Sequence, residues 1–164
     1  MILSEKLDLD GTFDELLEKC YEVYSNDFIT NKTIFKSLPV TTGRIKDGEK
    51  YPSTFWHIIS GHEKEITNGR AIDYKRAKRI PWIKPIIENY NDPILLCWKS
   101  LEFDKSSGKE IMKYYFWYKE GNYIIVLKEI KTKTIKYFLA TAFYVFERNV
   151  EHYKDLYEKG DKNI

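Results

Sequence analysis

The chain has little with which to cross-link itself, hold a metal or span a bilayer. Two cysteines, Cys20 and Cys97, stand alone among its 164 residues, each in an apolar pattern with no second cysteine or histidine at ligand spacing. They read as small buried hydrophobes rather than as a disulfide or a zinc site. No apolar run approaches the roughly 20 residues that a membrane-spanning helix needs. The opening residues MILSEKLDLDG have neither the basic stretch nor the apolar core of a secretory signal, so the expected compartment is the cytoplasm. The net charge of +2 is too small to imply a polyanionic partner by itself, which leaves the placement of charge as the informative quantity. Histidine is also scarce, with three in the whole chain. The acidic residues near the first two, Glu63, Glu65 and Asp73, lack ligand spacing, so no metal or other cofactor is expected.

What is present suffices for one domain over residues 1–164, since 43% of the residues are hydrophobic. Thr12 and Glu15 form a capping-box pattern ahead of Phe13, Leu16, Leu17, Cys20, Tyr21 and Tyr24, which follow helical spacing. Residues 1–50 therefore read as a helix and an extended arm or edge strand with a loop. Residues 51–146 read as the core, and 147–164 as a C-terminal helix with Val150, Tyr153, Leu156 and Tyr157 on one side. Within the core, Pro81 starts a helix that carries Trp82, Ile83, Ile86 and Ile87 and ends near Asn89. Four strands follow: 94–101, 113–119, 123–130 and 135–146. Their short connections imply antiparallel neighbours. The expected architecture is α+β, with N-terminal helices packed on a four-stranded antiparallel meander and a C-terminal helix.

His57 and His62, in YPSTFWHIISGHEKEITN, are the candidate reactive groups, because imidazole both gives and takes protons near neutrality. In one unbroken helix, positions five apart point about 140° from each other. Gly61 offers a way out if it supplies a left-handed residue that ends the helix and frees His62 to swing back. Either histidine can equally cap or pack. Lys75, Arg76, Lys78, Arg79 and Lys84 crowd into ten residues leading to a helix N-terminus, where backbone N–H groups also favour an anion. A solvated face explains such a run as well.

On the last strand, period-two alternation puts Tyr137, Leu139, Thr141, Phe143 and Val145 on one face and Tyr144 on the other. Thr141 is a hydroxyl among bulky apolar residues and must bond either to backbone or toward a site. Tyr114, Tyr115, Trp117 and Tyr118 serve as core or as stacking platforms.

The succession FWHIISGH, a basic run leading to RIPWIKPIIEN, Tyr-rich strands and YFLATAFYV resembles the phage-encoded nuclease-like domains grouped with barnase, EndoU, the tRNase colicins and RelE. The resemblance covers roughly Tyr51 to Phe146. It implies metal-independent RNA cleavage by a phage-derived toxin or effector, with RNA as substrate and a possible protein inhibitor. It carries the family's histidines onto His57 and His62, its arginine onto Arg79 or Arg70, and its strand hydroxyl onto Thr141. Arg70, Arg76, Lys78, Tyr115 and Tyr144 are then the residues expected to hold the substrate. Independently, two histidines and an arginine meet the needs of such cleavage, because the 2′-OH of RNA is its own nucleophile. The rival expectation is a nucleic-acid or protein-binding module on the same fold, without catalysis.

Overall fold

The computed structural model describes residues 1–61 and 72–164. Helix α1 (Phe13–Ser25) begins where the capping pattern puts it, with the Thr12 hydroxyl accepting from the Glu15 N–H at 3.3 Å. Leu16, Leu17, Cys20 and Tyr24 recur at helical spacing, so they share one stripe and are buried together.

A two-residue hairpin follows, with β1 (Ile34–Phe35) and β2 (Leu38–Thr41) joined by Lys36 and Ser37. Both turn residues have positive φ, 49° and 65°, as the tight turn matching strand twist requires. The hairpin exists to place Phe35. That ring is fully buried, with its centroid 4.7 Å from Tyr137, 5.0 Å from Tyr90 and 5.3 Å from Tyr114 and Phe116. Burying one such side chain contributes about 1.5–3 kcal/mol.

The helical layer continues with α2 (Ser53–Ile59), α3 (Tyr74–Ala77), a 3-10 turn at Ile80–Trp82 and α4 (Ile83–Glu88). Then come β3 (Leu95–Asp104), β4 (Lys109–Tyr118), β5 (Tyr123–Lys131) and β6 (Ile135–Tyr144), each antiparallel to the next. The turn from β4 to β5 needs a glycine. A Cβ on Gly121 would sit 2.5 Å from Tyr118 Cδ1 and 2.8 Å from Trp82 Cζ3.

The α+β class is found, but the sheet corrects the four-stranded antiparallel expectation. It is a six-stranded mixed sheet in the order β1-β2-β6-β5-β4-β3, because Val40 and Thr41 pair parallel with Tyr137 and Phe138. Only two residue pairs make that junction, between segments far apart in the chain. No local periodicity announces a parallel pairing of that kind, whose crossover is long.

Two layers of side chains flank the sheet. Phe116, Tyr123, Ile125, Leu127, Leu139 and Ala142 pack toward α1, α2 and α4. Trp98, Tyr115, Trp117, Ile124, Val126 and Val145 pack beneath α5 (Val150–Lys159), which lays Val150, Tyr153, Leu156 and Tyr157 on them. Strict alternation along β6 fails at one residue. Val126 pairs with Thr141 but Leu127 pairs with Leu139, so Ala140 is the extra residue of a β-bulge. Leu139 thus keeps the α1/α2 face while Thr141 stands opposite Val126, on the face that carries α5. The two were expected on one face. Among the described residues no helix is long and apolar enough to cross a membrane.

Candidate functional site

Beyond Phe138, no strand among the described residues pairs with β6 on its β2 side, and α2 and α3 pack against it. α2 closes differently from the expectation based on Gly61. Ser60 is extended (φ −102°, ψ 141°) and bridges Ile72, while the Asp73 N–H donates to the Ile59 carbonyl at 2.7 Å. Gly61 is not left-handed. A β-type exit ends the helix because the returning chain at Ile72 offers it backbone partners. His57 therefore lies in the last turn of α2, exposed, with its carbonyl oxygen facing β6 and α3.

Two donors meet at that oxygen. The Thr141 hydroxyl donates to it at 3.4 Å and the Arg76 NH1 at 3.1 Å. Arg76 is further fixed by Asp73, whose Oδ2 lies 3.5 Å from its Nε, and by the Phe143 ring at 5.8 Å. Burial lowers the Arg76 pKa from its ordinary value, with Asp73 acting against that. The guanidinium nevertheless stays charged near neutrality, as arginine does in proteins. Among the described residues, its remaining N–H groups have no hydrogen-bond partner.

His57, Arg76, Thr141 and Phe143 line a cavity of about 470 Å³, together with Tyr144, Arg148 and Tyr153, a size ordinary for small-ligand sites. The rim stacks cations on aromatics. Lys75 Nζ lies 4.7 Å from the Tyr144 ring and 5.0 Å from Phe146, and Arg148 Cζ lies 4.9 Å from Phe146.

Of the residues singled out in the sequence, His57, Thr141, Arg76 and Tyr144 come together at this cavity. Arg79 does not join them. It is buried, donates from NH1 to the Lys75 carbonyl at 2.7 Å, and stacks on Tyr144 at 4.6 Å and Trp82 at 5.3 Å. Arg79 stands past the end of α3, just before the 3-10 turn, and only Arg76 of the two lines the cavity. Lys78 is exposed and lies off the wall. The basic run also forms its own helix, α3, ahead of the 3-10 turn and α4. Asp73 caps it by accepting from the Lys75 and Arg76 N–H groups at 3.0 and 3.3 Å. A carboxylate thus holds the N-terminus of α3, whereas the anion was expected at the helix start near Pro81.

Tyr115 stacks on Trp98 at 4.7 Å, and its hydroxyl donates to Glu102 at 2.7 Å, with burial first and that carboxylate second pushing its pKa up. It faces a neighbouring cavity, not this one. His62 and Arg70 lie outside the described residues. Arg148 escaped the sequence reading, although its position just before an amphipathic helix is visible there.

Both thiols are uncrosslinked, and burial pushes Cys20 up to about 11 and Cys97 to about 12. Among the described residues, no three His, Cys, Asp or Glu side chains gather in a way that could hold a metal ion. No protein-family model, no curated protein and no solved structure matches the chain.

Proposed function

We propose that this protein is a metal-independent endoribonuclease, phage-derived and acting as a toxin or effector, whose site is the cavity between α2, α3 and β6. The observation that carries the reading is the meeting of His57, Arg76 and Thr141, from three separate elements, at one cavity wall. The resemblance of FWHIISGH and YFLATAFYV to the barnase, EndoU, colicin and RelE group points the same way.

The chemistry follows from those groups. An imidazole takes the 2′-OH proton, the O2′ attacks phosphorus, the P–O5′ bond breaks, and a second acid protonates O5′. The products are a 2′,3′-cyclic phosphate and a 5′-hydroxyl. His57 supplies one imidazole, and the sequence offers His62 as the other. Arg76 holds the charge that builds on the non-bridging oxygens. The Thr141 hydroxyl, donating to the His57 carbonyl at a long 3.4 Å, turns toward a phosphate oxygen at little cost.

A second reading, a nucleic-acid binding module, draws on the cations stacked over Tyr144 and Phe146, which serve phosphate and base contacts without any chemistry. One experiment separates the two. Purified protein is incubated with labelled RNA in EDTA. Cleavage that His57→Ala abolishes while RNA binding persists supports the nuclease. Binding without cleavage over many substrates supports the module.

A further inference from the structure

A second cavity, of about 550 Å³, adjoins the first, and the two share Thr141, Phe143 and Tyr153 as common wall. It opens on the α5 face of the sheet because the Ala140 bulge turns Thr141 and Phe143 that way. Its charged groups are not equivalent. Lys128 is held by Asp104 at 2.7 Å, and Glu102 accepts from the Tyr115 hydroxyl at 2.7 Å. Lys113 also lines the cavity and, among the described residues, has no ion-pair partner. His152, the third histidine, stands on the α5 side, its ring 5.1 Å from that of Tyr153. Glu102 keeps its charge, since the Tyr115 hydroxyl is neutral. The Lys113 ammonium without an ion-pair partner among the described residues, an imidazole and two aromatic rings on the shared wall suit a phosphate and a base joined to whatever occupies the first cavity.

We infer that the second cavity binds the neighbouring nucleotide of the same single strand, with Lys113 and His152 contacting its phosphate and Phe143 and Tyr153 standing between the two nucleotides as stacking surface. The inference rests on the nucleic-acid reading of the first cavity. It adds a direction to the strand's path, from His57 and Arg76 past Thr141 toward β4.

Binding of thymidine 5′-monophosphate and of the dinucleotide pdTpdT, neither of which carries a 2′-OH, tests it without cleavage. The dinucleotide is expected to bind at least about tenfold tighter, the gain of one stacked base and one phosphate contact. Lys113→Glu should erase that gain and leave mononucleotide affinity unchanged. His152→Ala, at an exposed position, should reduce the gain independently, while Arg76→Ala weakens both ligands. Mononucleotide binding with no dinucleotide gain, or a gain that survives both variants, overturns this inference alone. A gain accompanied by no cleavage of ribo-oligonucleotides overturns only the catalytic reading. If neither ligand binds, both fall.

Discussion

Thr141 and His57, 84 residues apart, touch through a side-chain hydroxyl and a main-chain carbonyl 3.4 Å apart. The contact ties the bulge of β6 to the last turn of α2. Its length makes it weak, so its loss should cost stability well under about 1 kcal/mol. Thr141→Val keeps the shape and removes the hydroxyl. It should leave the melting temperature nearly unchanged and slow RNA cleavage by roughly 10²-fold, the scale of losing one transition-state donor. Thr141→Ser should retain most activity. Wild-type cleavage by the valine variant would remove Thr141 from the site.

Arg76 and Arg79 should separate by what they damage. Arg79→Ala strips a buried side chain from Tyr144 and Trp82 and leaves the Lys75 carbonyl without its donor. About 1–3 kcal/mol of stability should go with it, read by thermal or urea unfolding, with RNA affinity of the folded fraction little changed. Arg76→Ala should lower RNA affinity at least as strongly as it lowers stability. The reverse pattern would return the phosphate-binding role to Arg79.

Asp104 makes stability depend on pH at the low end. The Lys128 ammonium at 2.7 Å and the Ser106 hydroxyl at 2.7 Å, with the Ser107 N–H at 3.1 Å, hold its carboxyl below the ordinary 3.8 against the opposing effect of burial. A carboxyl depressed on folding stabilises above its unfolded pKa, and that contribution is lost as pH falls through the folded value. Asp104→Asn should therefore melt several degrees below wild type at pH 7. The gap should narrow steadily below pH about 4. A gap that stays constant down to pH about 2 contradicts the assignment.

The β1–β2 turn carries strain that substitution can release. Lys36 and Ser37 both adopt positive φ, at roughly 1 kcal/mol for each residue with a Cβ. Asn–Gly is the pair such turns favour. K36N combined with S37G should raise the melting temperature by about 2–4 °C per kcal/mol recovered in a chain of this size. Part of the gain is offset by the added freedom of glycine in the unfolded chain. The Lys36 ammonium near the Phe35 and Tyr114 rings is also lost. A lower melting temperature would show that those contacts outweigh the strain.

Which features were legible from the sequence follows the range of the forces behind them. The Thr12 cap, the apolar stripe of α1, the start of the helix at Pro81 and the apolar face of α5 are each settled within a few residues, and the structure has them where the pattern puts them. The β6 alternation breaks at Ala140, because a bulge depends on the partner strand's register and leaves no mark in a run such as YFLATAFYV. Choosing between Arg76 and Arg79 needed the position of Tyr144. Nothing local marks His152, and only the packing of α5 against the sheet brings it to the same cavity as Lys113 and Thr141.

By itself the sequence determined the α+β class, the segments that become strands in its second half, and the helix that follows them. Those outcomes rest on periodicity, turn chemistry and capping, which act between near neighbours. Only the tertiary structure decided that β2 adds a parallel edge to β6, that Thr141 turns to the α5 face, and that His57 meets Arg76 there. Each of these is the burial of one distant surface against another, and its free energy belongs to the pair of surfaces rather than to either stretch of chain.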